Sequence, residues 1–239
     1  MRQTLAGMCV ATCAAVASAI TLWDQSNLVQ YIGNPPLLTN QEIPPPDAFA
    51  GYSSYVLTDV DTGGDTWLVQ DITVYFTNFN ANYGGQSAWL GVLQQARLNV
   101  APKAGSLPDN ALDPRNGTLV NVTVAQVDIN NVLALAITAS GLSLPVSGEY
   151  WIGLTPVVPL QALGYYQEVP IPSPRIGGES AWRNPAGAFG SGTDWMTVAA
   201  GPAPDWWIDF DPAVTIHGIP EPGALLLLSA AVTGLRRRR

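Results

Sequence analysis

One histidine, His217, and two cysteines, Cys9 and Cys13, are all that this 239-residue chain offers to the commonest nucleophilic and metal-binding chemistries. His217 stands two residues before a C-terminal segment that begins at Ile219, so a hydrolytic triad built around it in the body is not expected, and a His-rich metal site is excluded. Carboxylates remain. The 18 Asp and Glu residues could in principle supply the pair that flanks a glycosidic bond in a glycoside hydrolase, but no spacing singles a pair out. Asp59, Asp61 and Asp65 surround Thr62-Gly63-Gly64 and resemble part of an oxygen-ligand calcium loop. They lack the bidentate glutamate that closes an EF-hand, and an acidic hairpin turn is the simpler reading. The eight tryptophans, Trp206-Trp207 among them, could stack sugars, or could fill the core of a domain without disulfides. The residues therefore predict no enzyme, with no catalytic, cofactor-binding or metal-ligating set.

The elements that would carry these residues read as strands. Ile72, Val74 and Phe76 alternate with Asp71, Thr73, Tyr75 and Thr77, the period of a half-buried strand. The same alternation recurs at Val120, Val122 and Val124, at Tyr150, Ile152 and Leu154 after a predicted Ser147-Gly148 turn, and at Trp206, Ile208 and Phe210. Residues 132–139 form a continuous apolar run suited to a central strand, whereas residues 88–98 suit helix or strand. Turn chemistry recurs at Thr62-Gly63-Gly64, Tyr83-Gly84-Gly85, Asn116-Gly117, Gly177-Gly178 and Gly190-Ser191-Gly192. Short strands joined by glycine-rich connections predict an all-β fold, a jelly-roll-like β-sandwich. The Pro-rich stretches 35–46, 169–174 and 202–204 are expected as loops or covering arms.

Composition narrows the partners. Only 12% of residues are charged, 47% are hydrophobic, and the pI is near 4.4, which excludes a strongly basic nucleic-acid binder and a disordered chain. Residues 20–219 hold five basic and 17 acidic residues, a net charge of −12, so an anionic polymer would need bridging cations.

Both ends read as addresses. Residues 1–19 begin Met1-Arg2, continue through small and apolar residues, and finish Ala17-Ser18-Ala19, the pattern of a secretory signal peptide with its cleavage site. Both cysteines fall inside it, so the processed chain would carry no disulfide and no thiolate site. At the other end, Ile219-Pro220-Glu221-Pro222-Gly223 is followed by the apolar run 224–235 and by Arg236, Arg237, Arg238 and Arg239. The 12 residues of that run reach about 18 Å as a helix against a hydrocarbon core of about 30 Å, short for a span until flanking residues and snorkelling arginines are counted. The arginines place the C-terminus on the cytoplasmic side and the body outside.

This order closely resembles the PEP-CTERM sorting signal, a Pro-Glu-Pro tripeptide before a hydrophobic helix and a terminal arginine cluster. The resemblance implies recognition by an exosortase, a membrane protease-transpeptidase of bacteria that make exopolysaccharide, with Pro220, Glu221, Pro222 and Arg236 to Arg239 as the sorting residues. The body is similar to ectodomains found ahead of such tails, through Trp23-Asp24-Gln25, Gly148-Glu149-Tyr150-Trp151-Ile152 and Trp206-Trp207-Ile208-Asp209-Phe210. No catalytic residue comes with that likeness. The expected organisation is a signal peptide at 1–19, a β-sandwich ectodomain at 20–218 and a sorting segment at 219–239. The expected role is that of a secreted surface or extracellular-matrix protein, structural or adhesive, tethered transiently to the cytoplasmic membrane. A carbohydrate-binding module acting on exopolysaccharide is the alternative, and a carboxylate-dependent glycoside hydrolase a more distant one.

Overall fold

The computed structural model describes residues 18–26, 40–78, 87–158, 166–168, 170–171, 177–200 and 211–220. The fold is all-β. Its spine is β2 (Tyr55–Asn78), a 24-residue strand along which the other strands attach in sequence. One edge of β2 pairs first with β7 (Leu144–Pro156), through Thr58 to Val69, and then with β6 (Val132–Ala139), through Ile72 to Phe76. The other edge carries β10 (Ala181–Arg183), β13 (Val214–Pro220) and β8 (Tyr166–Glu168). Beyond these lie β3 (Gln95–Pro102) on β7, β4 (Thr118–Asn121) on β3, β5 (Thr123–Ile129) on β6, β11 (Met196–Thr197) on β10 and β1 (Ile20–Asp24) on β13. These ladders are all antiparallel and make one 11-stranded sheet, with β9 (Pro170–Ile171) and β12 (Asp211–Pro212) as a separate pair.

The alternation read at Ile72, Val74 and Phe76 is the core face of β2, and all three side chains are buried. They join Val60, Leu98, Leu135, Ile137, Val146, Ile152, Leu154, Val214 and Ile216 in the largest apolar cluster. Tyr55, Leu57, Trp151, Ala181 and Trp195 form another. The alternation read at Tyr150, Ile152 and Leu154 falls in β7, where residues 151–156 are buried at every position. The apolar run 132–139 is the inner strand β6, flanked by β2 and β5 as its composition predicts.

Four local expectations change. Ser147-Gly148 does not end a strand: both residues lie inside β7, and Gly148, at φ 88°, faces residues 62–65 of β2, which bulge out of the ladder between Asp61 and Thr66. The Thr62-Gly63-Gly64 turn is that bulge, so β2 runs through it instead of stopping. Glycine is needed there because Gly63 and Gly64 both have positive φ. Residues 88–98 are neither one helix nor one strand, since the single turn α1 (Ser87–Leu90) gives way to β3 at Gln95. Of the valines, Val120 lies in β4 and Val124 in β5, which pair with different neighbours, and Val122 stands between the two strands.

Candidate functional site

Thr62 closes the bulge in β2. Its hydroxyl donates to the Asp65 carbonyl at 2.6 Å and accepts the Gly148 amide at 2.8 Å, so the excursion is locked to β7. The carboxylates that suggested a calcium loop are thereby sent apart. Asp59, 5% exposed, accepts Lys103 Nζ at 2.5 Å and the Gly178 amide at 2.8 Å. Asp61 accepts the Gly63 amide at 2.8 Å, and Asp65 is exposed. Among the described residues no group of three or more His, Cys, Asp or Glu side chains converges as a metal site.

Lys103 was not singled out by sequence, although it is one of only five cations in the body. Besides Asp59, it lies 5.5 Å from the centre of the Trp151 ring. Burial works against its charge, but the hydrogen bond it donates to Asp59 and the nearby Asp59, Glu149 and Asp61 carboxylates outweigh that and raise its pKa. Arg97 makes a bidentate pair with Glu42 at 2.5 and 2.7 Å and donates to the Gly117 carbonyl at 3.0 Å. The hydrogen bond to Glu42 strengthens the Arg97 charge, while burial and the neighbouring Glu42 hold the Tyr55 phenol protonated far above the usual range. Arg115 pairs with Asp113 at 2.6 Å and lowers the Asp113 pKa, and Arg183 donates to the carbonyls of Asn110, Leu112 and Thr193. The four described cations of the body are thus all committed within the fold.

The six described tryptophans, Trp23, Trp67, Trp89, Trp151, Trp182 and Trp195, are at most 9% exposed and serve the core. Trp206 and Trp207 lie outside the described residues. His217 is half-buried on β13, opposite Thr21 of β1 and Asp71 of β2.

The sequence-predicted sorting residues meet the fold at one place. β13 ends at Pro220, whose register partner is Trp67, so the strand includes the first residue of the tripeptide. Glu221, Pro222 and Arg236 to Arg239 lie outside the described residues, as do residues 1–17 of the leader. Among the described residues no helix is long and apolar enough to cross a membrane. β1 begins opposite β13's exit: Ile20 pairs with Gly218 and Thr21 with His217. The two ends of the described body, Ile20 and Pro220, therefore lie at the same end of one strand pair. No family model, no curated protein and no solved structure matches this chain.

Proposed function

We propose that this chain is a secreted, C-terminally sorted protein of the cell surface or extracellular matrix, whose β-rich body has a structural or adhesive, non-catalytic role. The observation that carries the reading is the junction at Pro220. The ladder ends there, and the Pro-Glu-Pro segment, the apolar run and the arginines follow directly, with the N-terminal leader attached beside them. A body held this way stands on one end of the β1–β13 pair, with the rest of its surface directed away from the membrane. An exosortase-type protease-transpeptidase would then meet an extended segment whose prolines resist helix formation, and exopolysaccharide is the material around the released body.

The jelly-roll-like sandwich belongs to the same proposal. Residues of β3, β6, β7 and β13 share one apolar cluster, although β3 and β13 are separated in the sheet by β2 and β7. A sheet that folds over on itself would cover the apolar face that these strands share.

The test is the intact mass of the protein from membrane and extracellular fractions of its native host. An extracellular form lacking residues 1–19 and the arginine tail is expected. A full tail retained in the membrane in all fractions would overturn exosortase processing and make residues 219–239 a permanent anchor.

A further inference from the structure

The main path of the sheet runs β1–β13–β2–β7–β3–β4, so β4 has one edge bonded to β3 and one edge open. The phase of the ladder says which backbone groups lie on the open side. The Val122 amide donates to the Gln94 carbonyl at 2.9 Å, and bonded pairs alternate along an antiparallel ladder. Val120 opposite Ala96 and Thr118 opposite Leu98 are therefore bonded pairs, while Leu119 and Asn121 turn their N–H and C=O groups outward. β3 keeps the complementary phase on its other side, where the Val157 amide donates to the Gln95 carbonyl and residues 95, 97 and 99 face β7. Among the described residues nothing pairs with the outward groups of Leu119 and Asn121. Both residues are exposed, Leu119 by 44%.

Open edges are ordinarily guarded by a charge, a proline or a bulge. β1, the edge at the other end of the path, has two of these guards: its register shifts between Thr21 and Trp23, and it ends in Asp24. β4 has none. In a body of net charge −12, residues 116–127 contain no charged residue and no proline, and half of them are Val or Thr, which favour strands. The cation on the neighbouring strand, Arg97 opposite Leu119, is held by Glu42 and the Gly117 carbonyl. An acidic or basic segment would find no countercharge along this edge. A neutral extended backbone is what it accepts.

We propose that β4 pairs antiparallel with β4 of a second copy of this chain, continuing the sheet across a two-fold axis at Val120. The outward groups set the register. Leu119 faces the second copy's Asn121, Asn121 faces its Leu119, and each pair exchanges two hydrogen bonds, so the two Val120 residues lie opposite each other. A second copy brings its strand already extended, so pairing costs less ordering than recruiting a flexible peptide. The uncharged edge is also where two bodies of like charge repel least. The contact is isologous, so it joins two bodies and closes. Neither the leader nor the tail takes part, and the dimer stands whether or not the sorting segment is processed.

Disulfide trapping tests it, on the full-length chain carrying Cys9→Ser and Cys13→Ser. Directly opposed residues of a non-bonded antiparallel pair have Cα atoms about 4.5 Å apart, within disulfide reach. Val120→Cys is therefore expected to give a covalent dimer on mild oxidation, in clear excess over Ala186→Cys, an exposed position after β10 that reports any association through the leader or the tail. Asn121→Pro removes only an outward N–H, and Asn121→Lys sets like charges on the two sides of the axis. Each, added to Val120→Cys, is expected to bring trapping down to the Ala186→Cys level without lowering the thermal midpoint. Three results would overturn the proposal: Val120→Cys trapping no better than Ala186→Cys, trapping undiminished in either Asn121 variant, or loss of trapping confined to variants whose midpoint falls. The first is also what an edge reserved for another protein's strand would give.

Discussion

Lys103 shows how few side chains can carry the polar organisation of an apolar chain. It holds Asp59 where β2 meets β7, while the Gly178 amide completes the same carboxylate and so ties a distant loop to the sheet. Removing one partner of a buried pair leaves the other charged and unpaired, which costs more than the pair contributes. Lys103→Met is therefore expected to lower stability by about 3 kcal/mol, measured by urea denaturation, and Lys103→Met combined with Asp59→Asn to lose less than the two single changes together. The pH dependence has a definite sign. The folded-state pKa of Lys103 is raised from its ordinary 10.5, so the stability that the pair supplies is fully present below that value and disappears as pH climbs through the raised one. Urea midpoints taken on either side of pH ~10.5 should fall more steeply in the wild type than in Lys103→Met. None of this pairing was legible in the sequence, because Asp59, Lys103 and Gly178 come from well-separated stretches with no periodicity linking them.

At the scale of elements, alternation was legible wherever a strand has one wet face, as at Ile72, Val74 and Phe76, and so was the apolar run of β6. The alternation at Tyr150, Ile152 and Leu154 likewise marked β7, whereas the turn reading failed where glycine served a bulge instead of a chain reversal, as at Gly148 and Gly63-Gly64. The β5–β6 hairpin was missed for a different reason. Its two-residue turn is Asn130-Asn131, at φ 52° and 65°, and it uses asparagine where a Gly-containing pair is the stronger signal. Asn131→Val places a β-branched residue in that left-handed conformation and is expected to cost about 1–2 kcal/mol, read as a lower urea midpoint. Gly153 sets a tighter constraint. A methyl group there would overlap the Val56 carbonyl oxygen and the Leu57 side chain, so β7 and β2 would have to part. Gly153→Ala is expected to destabilise by about 2 kcal/mol in the same assay.

Over the whole molecule, the position of β13 decides how much of the C-terminus the fold can lose. The strand lies between β1 and β2, with Val214 and Ile216 at most 1% exposed in the main core, and it ends at Pro220. Each of those side chains contributes roughly 1.5–3 kcal/mol by burial, and their loss would also open the ladders to β1 and β2. A chain ending at Ala213 is therefore expected to lose its cooperative thermal transition. A chain ending at Pro220 keeps every described element and should melt within about 2 °C of the full-length protein. Circular-dichroism melts of the two truncations would separate these outcomes, and loss of the transition in the longer one would mean that residues 221–239 belong to the fold. If the longer truncation folds as expected, a transpeptidase acting beyond Pro220 can detach the tail without disturbing the sheet. A cut a few residues upstream would instead release an unfolding chain. The end of β13 would then fix the latest residue that the folded body needs and the earliest point at which the tail can be cut.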